Sequence, residues 1–361
     1  MKQAVLRSLT ECILTVLAAC NASGRLLGRH GANVLSTAWS PDNRHVVSSA
    51  WDSTVRIWDR MQGSTGVVLH PGSPPTYQVR WSSTEDRLSM VTESSVQFWD
   101  TKTDSATRVI PLEPNNGTWM RVVWSHDGHR AVVFGWADGS LSIQHADEVG
   151  RAIVLRGHMG GQVATADWSP DDRLLVSGGA VGDSTARLWD TRTGRQVQVI
   201  STGTGNWIAV AWSPAGSRLA WHGYSDDALH IGSVFPYRET AVLKHPAPIE
   251  HAVWSPDGQQ VVTIDRHGAL RLWNAASGAL VRATPAVGDL VDVSLDAGWS
   301  AATPNIAAVR DGKIVIWNVL HGDLQEQYLP FPVVSLAWSP DGRWLAAGGY
   351  DGSVSVLEPT R

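Results

Sequence analysis

Cysteine is nearly missing from this 361-residue chain: the only two, Cys12 and Cys20, lie near its start. The rest can form neither a disulfide nor a thiolate metal site, so its stability must come from packing. Phenylalanine (4) and tyrosine (5) are scarce too. Lysine plus arginine (29) fall short of aspartate plus glutamate (34), the net charge is -5, and no basic block stands out. A stripe that tracks a phosphate backbone is therefore lacking, and nucleic acid is not an expected partner. No apolar run approaches the roughly 18 residues needed to cross a bilayer. GxxxxGK, HExxH, EF-hand and paired-cysteine motifs are all absent, and the 13 histidines are scattered without ligand spacing on any strand face. No cofactor and no metal are expected.

What is plentiful is tryptophan, 19 residues, within a chain that is 43% apolar. Much of it sits in a recurring phrase: AWSPDN from Ala38, AWSPAG from Ala211, VWSPDG from Val253, AWSPDG from Ala337. Alignment on Trp-Ser gives Trp39, Trp81, Trp124, Trp168, Trp212, Trp254 and Trp338, with steps of 42, 43, 44, 44 and 42 residues up to Trp254. A period of about 40 to 45 built from short strand-like runs is the mark of propeller blades, each a four-stranded sheet. The unit between Trp254 and Trp338 has two registers. Trp299 as its anchor gives steps of 45 and 39, whereas VDVSLDAG from Val291 puts Ser294 in the tryptophan place with steps of 40 and 44. The second is the expected register. Both give eight blades, seven being the alternative.

Within a unit, an inner strand of small residues (Ser36, Thr37, Ala38) leads into Ser-Pro-Asp, where proline presets φ for a type I turn and Asp or Gly completes it. Runs such as HVVSSA and RLLVSGG follow, then an Asp-containing turn, then TVRIWD or ALRLWN. In TVRIW, Val55 and Ile57 face one way and Trp58 the other, so both faces carry bulk, as suits a sheet sandwiched between neighbours. Outer strands are expected in TGVVLH, GRAIVLRGH and RETAVLKH. The last unit stops after SVSVLE, and GRLLGRH from Gly24 can supply its outer strand and close the ring. The Asp-Gly pairs are read as turn chemistry.

From 24 to 359 these residues resemble the WD-repeat β-propeller family, of bacterial type. Five units end in Trp-Asp or Trp-Asn, at Trp58, Trp99, Trp189, Trp273 and Trp317; three depart, with Gln144-His145, Gly232-Ser233 and Leu357-Glu358. The resemblance implies an all-β, eight-bladed fold and buried hydrogen-bonded sets of His, Ser or Thr, Asp and Trp. Two units match in full: His30, Ser48, Asp52, Trp58, and His158, Ser177, Asp183, Trp189. A looser version has His245, Thr263, His267 and Trp273. Their Ser-His-Asp content is that of a hydrolase, but a role tying turns together accounts for it, and no enzyme is expected.

The resemblance further implies partner contacts along one rim, from residues just before the turn Asp and residues entering the inner strand. The first group is Trp51, Ala137, Gly182, Ser225, Arg310 and Tyr350, with Trp136 beside it; the second is Trp119 and Trp207, with Tyr77 nearby. The expected function is a monomeric, non-enzymatic scaffold that docks a protein or peptide on that rim. The alternatives are an enzyme sited in the channel, and a ligand sensor of an envelope or signalling assembly. Residues 1–20 fall outside the repeats and are read as a leader before a single propeller domain, 21–361. There, Lys2 and Arg7 precede CILTVLAA, and Leu17-Ala18-Ala19-Cys20 looks like the lipobox of bacterial lipoproteins. Lipid on Cys20 would make the protein a membrane-anchored envelope lipoprotein; without it the protein would be cytoplasmic.

Overall fold

The computed structural model describes residues 24–63, 65–72, 75–84, 86–112, 120–146, 152–159, 161–202, 207–224, 226–286 and 293–359. Among them are eight antiparallel sheets of four strands each, and no helix. In seven of the sheets the strands follow chain order, so the first blade runs Val34–Trp39, His45–Ala50, Val55–Asp59, Thr65–Leu69 from the inside outward. The eighth takes Val333–Trp338, Leu345–Gly349 and Ser353–Leu357 from the end of the chain and Arg25–Arg29 from its beginning. There Leu26 pairs with Ser355 and Gly28 with Val354. The result is an eight-bladed β-propeller closed by its N-terminal strand.

The recurring Ser-Pro-Asp phrase has a local cause. In blade 4 the Ser169 hydroxyl donates to the Asp171 carboxylate at 2.6 Å and accepts the Leu174 N–H at 2.9 Å, bridging both limbs of the turn. The same pair of bonds recurs from Ser125, Ser255 and Ser339. Hydrogen bonds from Ser169, and then from the Arg173 N–H, hold Asp171 below the usual carboxylate range. One residue after the Asp the backbone turns left-handed, with φ of 74° at Gly128, 67° at Gly258 and 66° at Gly342. Glycine carries no penalty there.

The seventh blade overturns the expected register. Trp299, not Ser294, occupies the tryptophan place: it pairs with Ile306 as Trp254 pairs with Val261, and its indole N–H points to the Val253 carbonyl at 3.4 Å. Ser294 pairs with Val309 and Gly298 with Ala307, so an irregularity between them absorbs the extra residues. The uneven steps were real spacing, taken up by a bulge inside the strand.

Between blades, each sheet covers its neighbour. Leu27, Val354 and Val356 of blade 8 pack with Val34, Trp39 and Trp58 of blade 1, and Phe134, Leu141 and Ile143 of blade 3 pack with Val163, Trp168 and Trp189 of blade 4. Burial of this kind stabilises by about 25 cal/mol per Å² of apolar surface. A blade alone would leave both faces wet. Gly28 is required at the closure, because a Cβ there would collide with the ring of Trp58.

Candidate functional site

Two sets of buried polar groups lock their blades. His30 Nε2 lies 2.7 Å from Ser48 Oγ, which accepts the Trp58 indole N–H at 2.7 Å, while His30 Nδ1 lies 3.2 Å from Asp52. In blade 4, His158 Nε2 lies 2.7 Å from Ser177 Oγ, Trp189 donates to the same oxygen at 2.8 Å, and His158 Nδ1 lies 2.7 Å from Asp183. Burial depresses both imidazoles, that of His30 to about 4, against the opposing pull of Asp52 and Asp183. Each serine oxygen is occupied by an indole, and each aspartate also ties a backbone N–H, that of Gly31 or Met159. These groups fasten strands to turns, with the serine buried at 0% exposure in both, so no substrate reaches it.

Blade 6 carries the incomplete set. Trp273 donates to Thr263 Oγ1 at 2.9 Å, but His245 has no hydrogen-bond partner on either ring nitrogen among the described residues. His267 stands where Asp52 stands in blade 1, and the nearby Asp265 pairs with Arg271 instead. Burial, helped by the Arg271 charge, lowers His245 to about 4.

The turns between second and third strands gather on one face, opposite the Ser-Pro-Asp turns. There Trp51 is 52% and Tyr350 62% exposed, on adjacent blades 1 and 8, and Tyr77 meets Trp51 edge to face with centroids 6.3 Å apart. Their backbones are fixed: the Trp51 N–H bonds the Asn33 carbonyl at 3.0 Å and the Tyr350 N–H that of Pro332 at 2.9 Å. The same bond is made by Tyr224 to Trp207 and by Arg266 to Pro248, which identifies Tyr224 and Arg266 as the equivalents of Trp51. Arg266 lies over the Tyr224 ring at 5.7 Å and pairs with Glu250 at 3.0 Å. Sequence reasoning missed both. The signal was constant spacing: Trp51, Trp136, Tyr224, Arg266 and Tyr350 each lie twelve residues after the tryptophan of their Trp-Ser anchor.

Other expected contacts are placed differently. Arg310 is only 6% exposed; its guanidinium pairs with Glu326 at 3.0 Å and reaches the Gly268 carbonyl, so it is committed between blades rather than offered to a partner. Trp136 and Trp207 are half-buried, the former packed on the core between blades 2 and 3. Ala137 and Gly182 are exposed but carry no anchor. Trp119, Ser225 and the leader with Cys20 lie outside the described residues. Among the described residues no group of three or more His, Cys, Asp or Glu is arranged to hold a metal ion, and no helix is long and apolar enough to cross a membrane.

Fold and repeat chemistry together define an eight-bladed β-propeller built from tandem units. The family described as "WD domain, G-beta repeat" matches residues 22–59, 151–190 and 326–357. Among curated proteins the chain is similar to Protein FIZZY-RELATED 3 of Arabidopsis thaliana, 26% identical over 67% of this chain and 50% of that protein. It is also similar to B-type cell cycle switch protein ccs52B of Medicago truncatula, 32% identical over 42% of this chain and 31% of that protein. A third relative is Anaphase-promoting complex subunit cdh1 of Dictyostelium discoideum, 37% identical over 30% of this chain and 14% of that protein. The aligned stretch spans half or less of each of the three.

Proposed function

We propose that the protein is a non-enzymatic adaptor that docks a protein or peptide across the face carrying Trp51, Tyr77 and Tyr350. The observation that carries this reading is the exposure of Trp51 and Tyr350 on neighbouring blades whose backbones are pinned by hydrogen bonds. Large aromatics on a rigid frame lose little conformational entropy on binding, and they dominate interface energetics. Tyr224 and Arg266, the latter paired with Glu250, extend the surface to blades 5 and 6. One relative's name, a subunit of the anaphase-promoting complex, supports a finer version, in which the disc holds its partner within a larger assembly.

The test places a photo-crosslinking residue at Tyr350 and, separately, at Phe235 on the opposite face. Adducts are expected from position 350, and they should vanish when Trp51→Ala and Tyr77→Ala are added. Each alanine should cost roughly 2 kcal/mol of binding if it removes an anchor. Adducts formed only from position 235, or indifferent to both substitutions, would remove the reading. The lipoprotein reading rests on Lys2 and Arg7 before CILTVLAA and on the lipobox-like Leu17-Ala18-Ala19-Cys20, while the relatives reported are eukaryotic. Labelled lipid on the intact chain, lost in Cys20→Ser, is the check on that leader.

A further inference from the structure

At several blade interfaces the residue that opens a second strand covers the Trp-Ser tryptophan of the next blade. Arg130 lies over Trp168 at 5.0 Å and Arg218 over Trp254 at 5.0 Å, while His45 stacks on Trp81 with centroids 6.4 Å apart. The arginines are also satisfied along their edges. Arg130 donates to the Asp172 carbonyl at 2.8 Å and to Thr191 Oγ1 at 3.1 Å, and Arg218 donates to the Gly258 carbonyl at 2.5 Å. Each site is thus an indole face below a guanidinium, with oxygen acceptors around it.

Between blades 7 and 8 the corresponding residue is Asn305, which is too short to cover Trp338. A cavity of about 300 Å³ stands there instead, lined by Thr303, Asn305, Trp338 and, farther out, Arg343 and Glu358. Two of its oxygens are buried and idle. Asn305 Oδ1, on a residue 6% exposed, and Thr303 Oγ1 have no hydrogen-bond partner among the described residues. The Trp338 N–H is already used, donating to the Gly298 carbonyl at 3.1 Å, so what the indole presents is held in place. Glu358 is exposed at the mouth and supplies a negative charge; Arg343 is exposed there as well.

We infer that this cavity is a seat for the arginine side chain of a partner protein. A guanidinium is planar, stacks on tryptophan and carries five donors with no acceptor, which matches an indole face ringed by unpaired oxygens. Two sister interfaces fill the same place with the chain's own arginine, and here that arginine is missing. The seat opens among the Ser-Pro-Asp turns, on the face away from Trp51 and Tyr350, so it stands or falls independently of the rim.

Titration of acetyl-Gly-Arg-Gly-amide into the full chain, labelled with ¹⁵N at its tryptophan indoles, tests this. The Trp338 resonance, identified by its loss in Trp338→Phe, should shift saturably. The citrulline analogue, which keeps the shape without the charge, should bind roughly tenfold more weakly or less well still. Asn305→Arg should remove the response while leaving the other indole resonances in place, since it copies what Arg130 and Arg218 do. Glu358→Gln should weaken binding. No saturable shift, an equal response to citrulline, or an undiminished response in Asn305→Arg would overturn the inference. So would a shift seen only after Arg343→Ala, because the seat would then belong to Arg343.

Discussion

The indole N–H of Trp39 donates to the carbonyl of Ala337 at 3.0 Å, across 298 residues of sequence. The same bond joins Trp168 to Val123 at 3.1 Å and Trp338 to Gly298 at 3.1 Å, between blades that follow one another in the chain. The seam between the ends of the chain is therefore built like interior interfaces. Trp39→Phe should remove one hydrogen bond and part of the buried ring at the seam, at a cost of about 2–3 kcal/mol. Trp168→Phe should cost a similar amount. Denaturant unfolding of the two variants makes the comparison, and a seam that tolerated the change without loss would be one that is not closed.

The paired and orphaned histidines should respond oppositely to substitution. His30→Ala strands Ser48 and Asp52, both buried or half-buried, and should destabilise by roughly 2–4 kcal/mol. His245→Phe gives up no hydrogen bond and replaces two desolvated nitrogens by carbon against the Trp273 ring 4.9 Å away. It should be neutral or stabilising by up to about 1 kcal/mol. Paired urea titrations read the difference; equal losses in the two variants would show that the contrast in partners carries no energetic weight.

Acid should loosen the disc through its buried histidines. Burial lowers His30, His222 and His245 to about 4 from 6.5, so between those values the unfolded chain binds more protons and stability falls as pH falls. Asp167 acts in the other direction. Burial raises it to about 6 from 3.8, so its protonation favours the folded state over much of the same window. The depressed histidines, His158 among them, outweigh the one raised carboxylate, and the net loss from pH 6.5 to 4 should be roughly several kcal/mol. His245→Phe should make the slope shallower. A midpoint in urea that stays flat over this range would contradict the assignment.

The architecture was readable because its causes are local and repeated: Ser-Pro-Asp closes the inner hairpin in four blades, and the tryptophan before the turn anchors the interface with the preceding blade. The outer strand of blade 8 was readable too, since GRLLGRH copies a segment that elsewhere precedes a blade. The register of blade 7 was not, because a bulge shifts spacing without altering which residues pack, and even spacing favoured Ser294 over Trp299. Arg310 was misplaced for a related reason. A charged residue beside a turn looks exposed until the neighbouring blade is seen to bring Gly268 against it, with Glu326 alongside. The empty place over Trp338 depends on comparing interfaces in space, where a short Asn305 matters only beside the arginines of its counterparts.

Ring closure by the first strand supports everything else, and a disulfide tests it directly. Leu26 and Ser355 are register partners, at a separation that antiparallel neighbours share with bridged cysteines. In a Cys12→Ser, Cys20→Ser background, Leu26→Cys with Ser355→Cys should oxidise to a monomer joined end to end, seen as a single linked peptide by mass spectrometry. Its unfolding midpoint should rise. Cysteines that stay reduced, or that link only between chains, would contradict a closed disc.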